Sequence, residues 1–119
     1  MTGQRIILAI AALWGLAGVA MLASGSHPPQ VGLLAVGGQF LLFHAAACLA
    51  LVNTQLVSNW RRALPIALML TGSGLFALEI LLHVSTGLAA LAMLAPIGGG
   101  LTILGWLLLV IGALIEPRN

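Results

Sequence analysis

The sequence predicts an all-α integral membrane protein, a four-helix bundle with both ends on the cytoplasmic side. Composition, run lengths and the placement of the arginines point to it. Of 119 residues, 61% are hydrophobic and 5% charged, whereas soluble domains run near half apolar and about a quarter charged. Such a chain cannot clothe its surface in polar groups, so lipid is its solvent. The apolar residues fall into four runs of about 20, the length that roughly 30 Å of hydrocarbon demands at 1.5 Å per residue. The arginines lie between or beyond these runs.

The first span is placed at residues 6–24 and closes on Ser24-Gly25-Ser26-His27-Pro28-Pro29-Gln30, a run of turn residues that no helix continues through. The second is placed at 31–57 and closes on Ser58-Asn59-Trp60-Arg61-Arg62. The third, 63–83, carries Pro65 in its first turn, where a missing N–H costs nothing. The fourth, 97–115, follows Pro96 and ends on Glu116-Pro117-Arg118. Residues 84–95 are apolar but too few to span. Gly87 interrupts them and Pro96 closes them, so a short interfacial helix or re-entrant segment is expected. The whole chain, 1–119, reads as one transmembrane domain.

Alternating spans put the N-terminus, the second connection and the C-terminus on one side. These hold Arg5, Arg61, Arg62 and Arg118, and the other two connections hold no Lys or Arg. That is the positive-inside pattern of an N-in, C-in protein. Trp60 sits at the inner boundary. A cleaved signal peptide fits the first span poorly, because its apolar stretch exceeds the 7–15 residues of a signal core and no clean A-x-A site precedes a soluble domain. Four scattered arginines make no basic patch, so nucleic acid is not an expected partner. Cys48 has no second cysteine to pair with.

Helices in lipid associate through small residues. Ala11, Gly15, Gly18 and Gly25 form one stripe on the first span, and Gly98, Thr102, Gly105 and Gly112 another on the fourth, with Gly72 and Gly74 on the third. The stripes serve packing within the bundle or between copies.

Gly25-Ser26-His27, Phe43-His44, Thr86-Gly87, Pro96-Ile97-Gly98-Gly99 and Leu104-Gly105-Trp106, in that order, resemble the YgdD/YwdK-like small bacterial membrane proteins. Pro-Ile-Gly-Gly followed by Gly-Trp is the most specific part. The resemblance implies a four-helix protein of the bacterial inner membrane and supplies no activity. Ala77-Leu78-Glu79, His83 and the short Pro28-Pro29-Gln30 loop depart from the family pattern.

An ionisable side chain in hydrocarbon costs about 3 kcal/mol on insertion scales, which makes Glu79 a functional candidate. His83, one helical turn on, shares its face. His44 lies about 16 Å into the second span, near the midplane, while Glu79 lies about 8 Å from the outer face and His83 close to it. By this count Gln39 is level with Glu79, and a Gln39 to Glu79 hydrogen bond is the expected interhelical contact. His27, Glu79 and His83 are candidate ligands for zinc or copper at the outer boundary, and His44 a candidate axial ligand for haem or another tetrapyrrole.

With no aspartate, lysine or tyrosine, no phosphate loop and no G-x-S-x-G, the chain lacks the parts of a catalytic set. The reading is therefore a non-enzymatic accessory or scaffolding subunit, packed against other membrane proteins or itself. A metal- or haem-binding membrane protein is the alternative. A proton or small-ion conduit is weaker, since one buried acid makes no relay.

Overall fold

The computed structural model describes residues 2–27 and 32–117. It contains four helices, α1 (Gly3–Gly25), α2 (Leu33–Asn53), α3 (Asn59–Thr86) and α4 (Leu94–Ile115), each long and apolar enough to cross a membrane. No strand occurs among the described residues. Pro28, Pro29 and Gln30, expected as turn residues, and Val31 and Arg118 lie outside them.

The helix ends follow from local chemistry. Thr2 caps α1 by accepting the Arg5 N–H on its hydroxyl at 3.3 Å. α2 stops at Asn53, four residues before the expected Val57. Thr54 turns to extended backbone, and its hydroxyl accepts the Leu56 N–H at 3.3 Å, so short polar side chains here compete with the helical ladder. α3 begins four residues before the expected Ala63, after the extended Ser58. That early start puts Pro65 in the helix interior rather than in its first turn. The ring leaves the Arg61 carbonyl without its intrahelical donor. That oxygen faces α4, 3.7 Å from where a Cβ on Gly112 would stand.

The connection between α3 and α4 differs from the expectation of a short helix or re-entrant segment. Residues 84–86 complete α3, residues 94 and 95 open α4, and 87–93 between them hold only a turn. Gly87 is the cause: at φ 69° it stands in the left-handed region and returns its N–H to the His83 carbonyl at 2.8 Å, which closes the helix. Pro96, expected to end that segment, sits instead in the first turn of α4, where no intrahelical donor is required.

Packing proceeds by two hairpins. In the first, a Cβ on Gly18 would stand 2.9 Å from the Gly38 carbonyl oxygen, and one on Gly25 2.7 Å from the Ala35 nitrogen, so α1 and α2 touch backbone to backbone. In the second, a Cβ on Gly98 would meet the Gly72 carbonyl oxygen and, at 2.7 Å, the Phe76 nitrogen. The hairpins join along α2 and α3 through two aliphatic clusters, Ala11, Cys48, Ile66, Met69 and Leu70 toward one end and Met21, Leu34, Leu41, Ala77 and Ile80 toward the other. α4 leans on α3 alone: none of its Cα atoms comes within 8 Å of α1 or α2. The bundle is therefore open along that flank.

The start of α1, the α2–α3 connection and the end of α4 share one end of the molecule. Thr2 and Arg5 line a cleft with Asn53 and Gln55, and Arg61 pairs with Glu116. Arg5, Arg61 and Arg62 all gather there.

Gly98→Val is expected to destabilise the fold by about 1–3 kcal/mol, the usual cost of overpacking, because backbone opposes the new carbons. Gly99→Val, which meets nothing within 4 Å, is the control. Thermal unfolding in detergent measures both, and equal effects would dismiss the hairpin contact.

Candidate functional site

His44 is buried at 7% exposure in the middle of α2. Its Nδ1 lies 2.6 Å from the Phe40 carbonyl oxygen, one turn back, and its Nε2 lies 3.0 Å from Trp106 Nε1 on α4. An indole N–H only donates and a carbonyl only accepts. Nε2 is consequently the acceptor, and Nδ1 carries the proton of a neutral imidazole. Phe40 stacks at 4.5 Å from the ring and Phe76 of α3 at 4.3 Å from Phe40, while the Trp106 ring stands edge-on at 5.9 Å. The α2 and α4 backbones do not meet, so this side-chain bond carries α4 across the gap.

A second indole ties the other diagonal, where α1 and α3 themselves touch. Trp14 of α1 donates its N–H to the Leu70 carbonyl of α3 at 2.7 Å, with its ring laid against Gly74, where a Cβ would come within 2.8 Å. The two buried hydroxyls are answered within their own helices, Thr102 by the Gly98 carbonyl at 2.8 Å and Ser73 by the Leu70 carbonyl at 3.3 Å.

At the arginine end, Glu116 accepts from Arg61 at 2.8 Å, from the Ser58 N–H at 2.9 Å and from the Ser58 hydroxyl at 3.3 Å. Arg61 also donates to the Ile115 carbonyl at 3.1 Å and lies 4.6 Å from the Trp60 ring centroid. An acid from the end of α4 thus stands at the start of α3, where the helix dipole favours negative charge. Burial pushes the Glu116 carboxyl upward, but the Arg61 and Ser58 hydrogen bonds and the arginine charge outweigh it and hold the group below its ordinary value.

The residues expected to form a site are placed separately. His27 is exposed beyond α1, and Glu79 and His83 are half-buried on α3. Among the described residues no three His, Cys, Asp or Glu side chains come together as a metal-binding group, so His27, Glu79 and His83 do not assemble into one. Both ring nitrogens of His44 are engaged, so an iron ligated there would have to displace Trp106 or the Phe40 carbonyl. No hydrogen bond joins Gln39 to Glu79, because Gln39 is exposed on the far side of α2 from its buried positions. The level was correct, as Gly37 faces Ile80; the rotation was not. Of the packing glycines, Gly18, Gly98 and Gly105 are pressed against neighbours, while Gly15 and Gly112 have only ordinary contacts, at 3.9 Å and 3.7 Å for an added Cβ. Gly37, Gly38 and Gly72 prove as tight as any.

Sequence reasoning missed Trp106, Trp14 and Glu116 as partners. The signal was present for the first: a histidine in hydrocarbon requires a donor, and a tryptophan is a donor whose ring reaches across a gap. Glu116, just past the last span, returns to the level of Ser58 once α3 and α4 are antiparallel.

Trp106→Phe leaves His44 Nε2 without a donor and is expected to cost about 1 kcal/mol, within the range for interhelical bonds in membranes. His44→Phe in that background should recover part of the loss. A double-mutant cycle on unfolding in detergent checks this, and zero coupling would refute the tie. Because the Glu116 value is depressed in the fold, its stabilisation is complete above the ordinary glutamate pKa of about 4.3 and is lost as pH falls through the folded value. Acidification from pH 7 to 3 should lower the melting temperature of the wild type in a step that Glu116→Gln lacks.

No curated protein and no solved structure matches the chain. A family model does, over residues 17–99, from the second half of α1 to the first turns of α4, with His44, Glu79 and His83 inside the match and Trp106 and Glu116 outside it. That model covers more than half of the chain, and the protein belongs to the family it describes, "Protein of unknown function (DUF423)".

Proposed function

We propose that the protein is a non-enzymatic scaffolding subunit of the bacterial inner membrane, of the YgdD/YwdK-like kind, oriented with both ends in the cytoplasm. One observation carries the reading: α4 is held by α3 and a single indole bond, and presents an uncovered apolar stripe. Ile103, Leu107, Val110 and Leu114 are 72%, 53%, 54% and 81% exposed and recur at steps of four, three and four. The stripe and the open flank beside it are the place for another membrane helix. The gathering of Arg5, Arg61 and Arg62 at one end supports the orientation. The engaged nitrogens of His44 favour a bracing role over ligation, and Glu79 alone supplies no relay for an ion conduit.

Cysteine introduced at Ile103 or Val110 should crosslink in native membranes to one recurring neighbour or to a second copy, and the purified protein should hold substoichiometric metal and show no Soret band. Stoichiometric metal or haem absorption would replace the scaffold by a binding protein. Tails labelled from opposite faces of sealed vesicles would overturn the orientation.

A further inference from the structure

We infer that the arginine end carries a binding site for the phosphate of an anionic membrane phospholipid, held by Arg62, Arg5 and the first turn of α1. Arg62 is 4% exposed, yet its guanidinium reaches only neutral oxygens, the Thr54 carbonyl and the Asn59 side chain. Among the described residues the ion pair at this end is Arg61 with Glu116, and no carboxylate stands against Arg62. A buried cation without a counter-charge is strongly unfavourable.

The space beside it is open and acid-free. Arg62 and Asn59 form one wall of a cleft of about 390 Å³ whose other wall is Thr2, Gly3 and Gln4. At roughly 30 Å³ per water this admits about a dozen waters, or a phosphate group with its ester arms. Thr2 and Gln4 continue into a second cleft of about 280 Å³ that adds Arg5, Asn53 and Gln55. Neither cleft is lined by an acid.

The donors are arranged for an anion. Thr2 takes the N–H groups of Arg5 and Ile6, and among the described residues no acceptor takes those of Gly3 and Gln4 at the positive end of the helix dipole. The Arg62 donors not given to Thr54 and Asn59, on the first cleft, and the guanidinium of Arg5, on the second, complete the set.

Position decides the source. The clefts lie where the spans end, at the start of α3 that also carries Trp60, which is 70% exposed as amphipathic rings at the headgroup boundary are. Lipid phosphate is there at high local concentration, and free phosphate is not. The inference uses the membrane placement and is independent of the scaffold reading, since lipid retention and partner crosslinking are separate measurements.

The test uses the full-length protein in detergent micelles, with phosphatidylglycerol, phosphatidylcholine or inorganic phosphate added, read by native mass spectrometry and by melting temperature. Phosphatidylglycerol should be retained and should raise the melting temperature, phosphatidylcholine should do neither, and Arg62→Gln should weaken retention roughly tenfold or more, as loss of a charge-assisted contact does. Arg5→Gln, at an exposed position that the fold does not need, should weaken it by a smaller factor and covers the case in which Arg62→Gln fails to fold. Equal retention of the two lipids, or retention unchanged in Arg5→Gln and in folded Arg62→Gln, overturns the site. Stabilisation by inorganic phosphate equal to that by phosphatidylglycerol overturns the lipid as its source.

Discussion

Hydrocarbon gives two helices no reason to associate, since a lipid tail solvates leucine as well as another leucine does. What holds this molecule is close approach, and close approach depends on missing side chains. Where Gly18 meets Gly38, and Gly72 meets Gly98, the backbones themselves are the contact surface. Dispersion between many atoms at short range then accumulates where none is lost to a gap. The remaining interactions are positioned by these two seams.

The second requirement is polar. No water enters to rescue an unmatched donor, and the chain meets this by using the two tryptophans within its spans as long-armed donors. Each ties two helices that are not hairpin partners, Trp14 from α1 to α3, which touch, and Trp106 from α4 to α2, whose backbones do not meet. Histidine is well suited to receive such a bond, because one of its nitrogens can be turned inward to its own helix while the other faces out. Outside the hydrocarbon, the Ser58, Arg61 and Glu116 clamp fixes the open ends of α3 and α4 against each other.

The four spans were legible because run length alone reports them. Their ends were not: α3 begins at Asn59 among polar residues, after an extended Ser58 that gives its N–H to Glu116, and hydropathy does not register such a contact. Residues 88–93 misled for a related reason, since an apolar turn and an apolar helix have the same composition. The site was half legible. Counting residues from each face gave the correct height for Gln39 against Glu79, but a helix that is apolar all round does not show which side faces inward. Only its glycines did so, and on α2 it was Gly37 and Gly38, unremarked in the sequence, that marked the inner face.

α3 has 28 residues where its three neighbours have 21 to 23. At 1.5 Å per residue it is about 42 Å long, some 12 Å more than average hydrocarbon. Its first turn carries Asn59, Arg61 and Arg62 and its final turns His83, Ser85 and Thr86, so polar residues at both ends take up the excess. The molecule is thereby matched to thick and thin bilayers unequally: in a thin one α3 must lean, and the glycine seam it shares with α4 carries that lean to its neighbour.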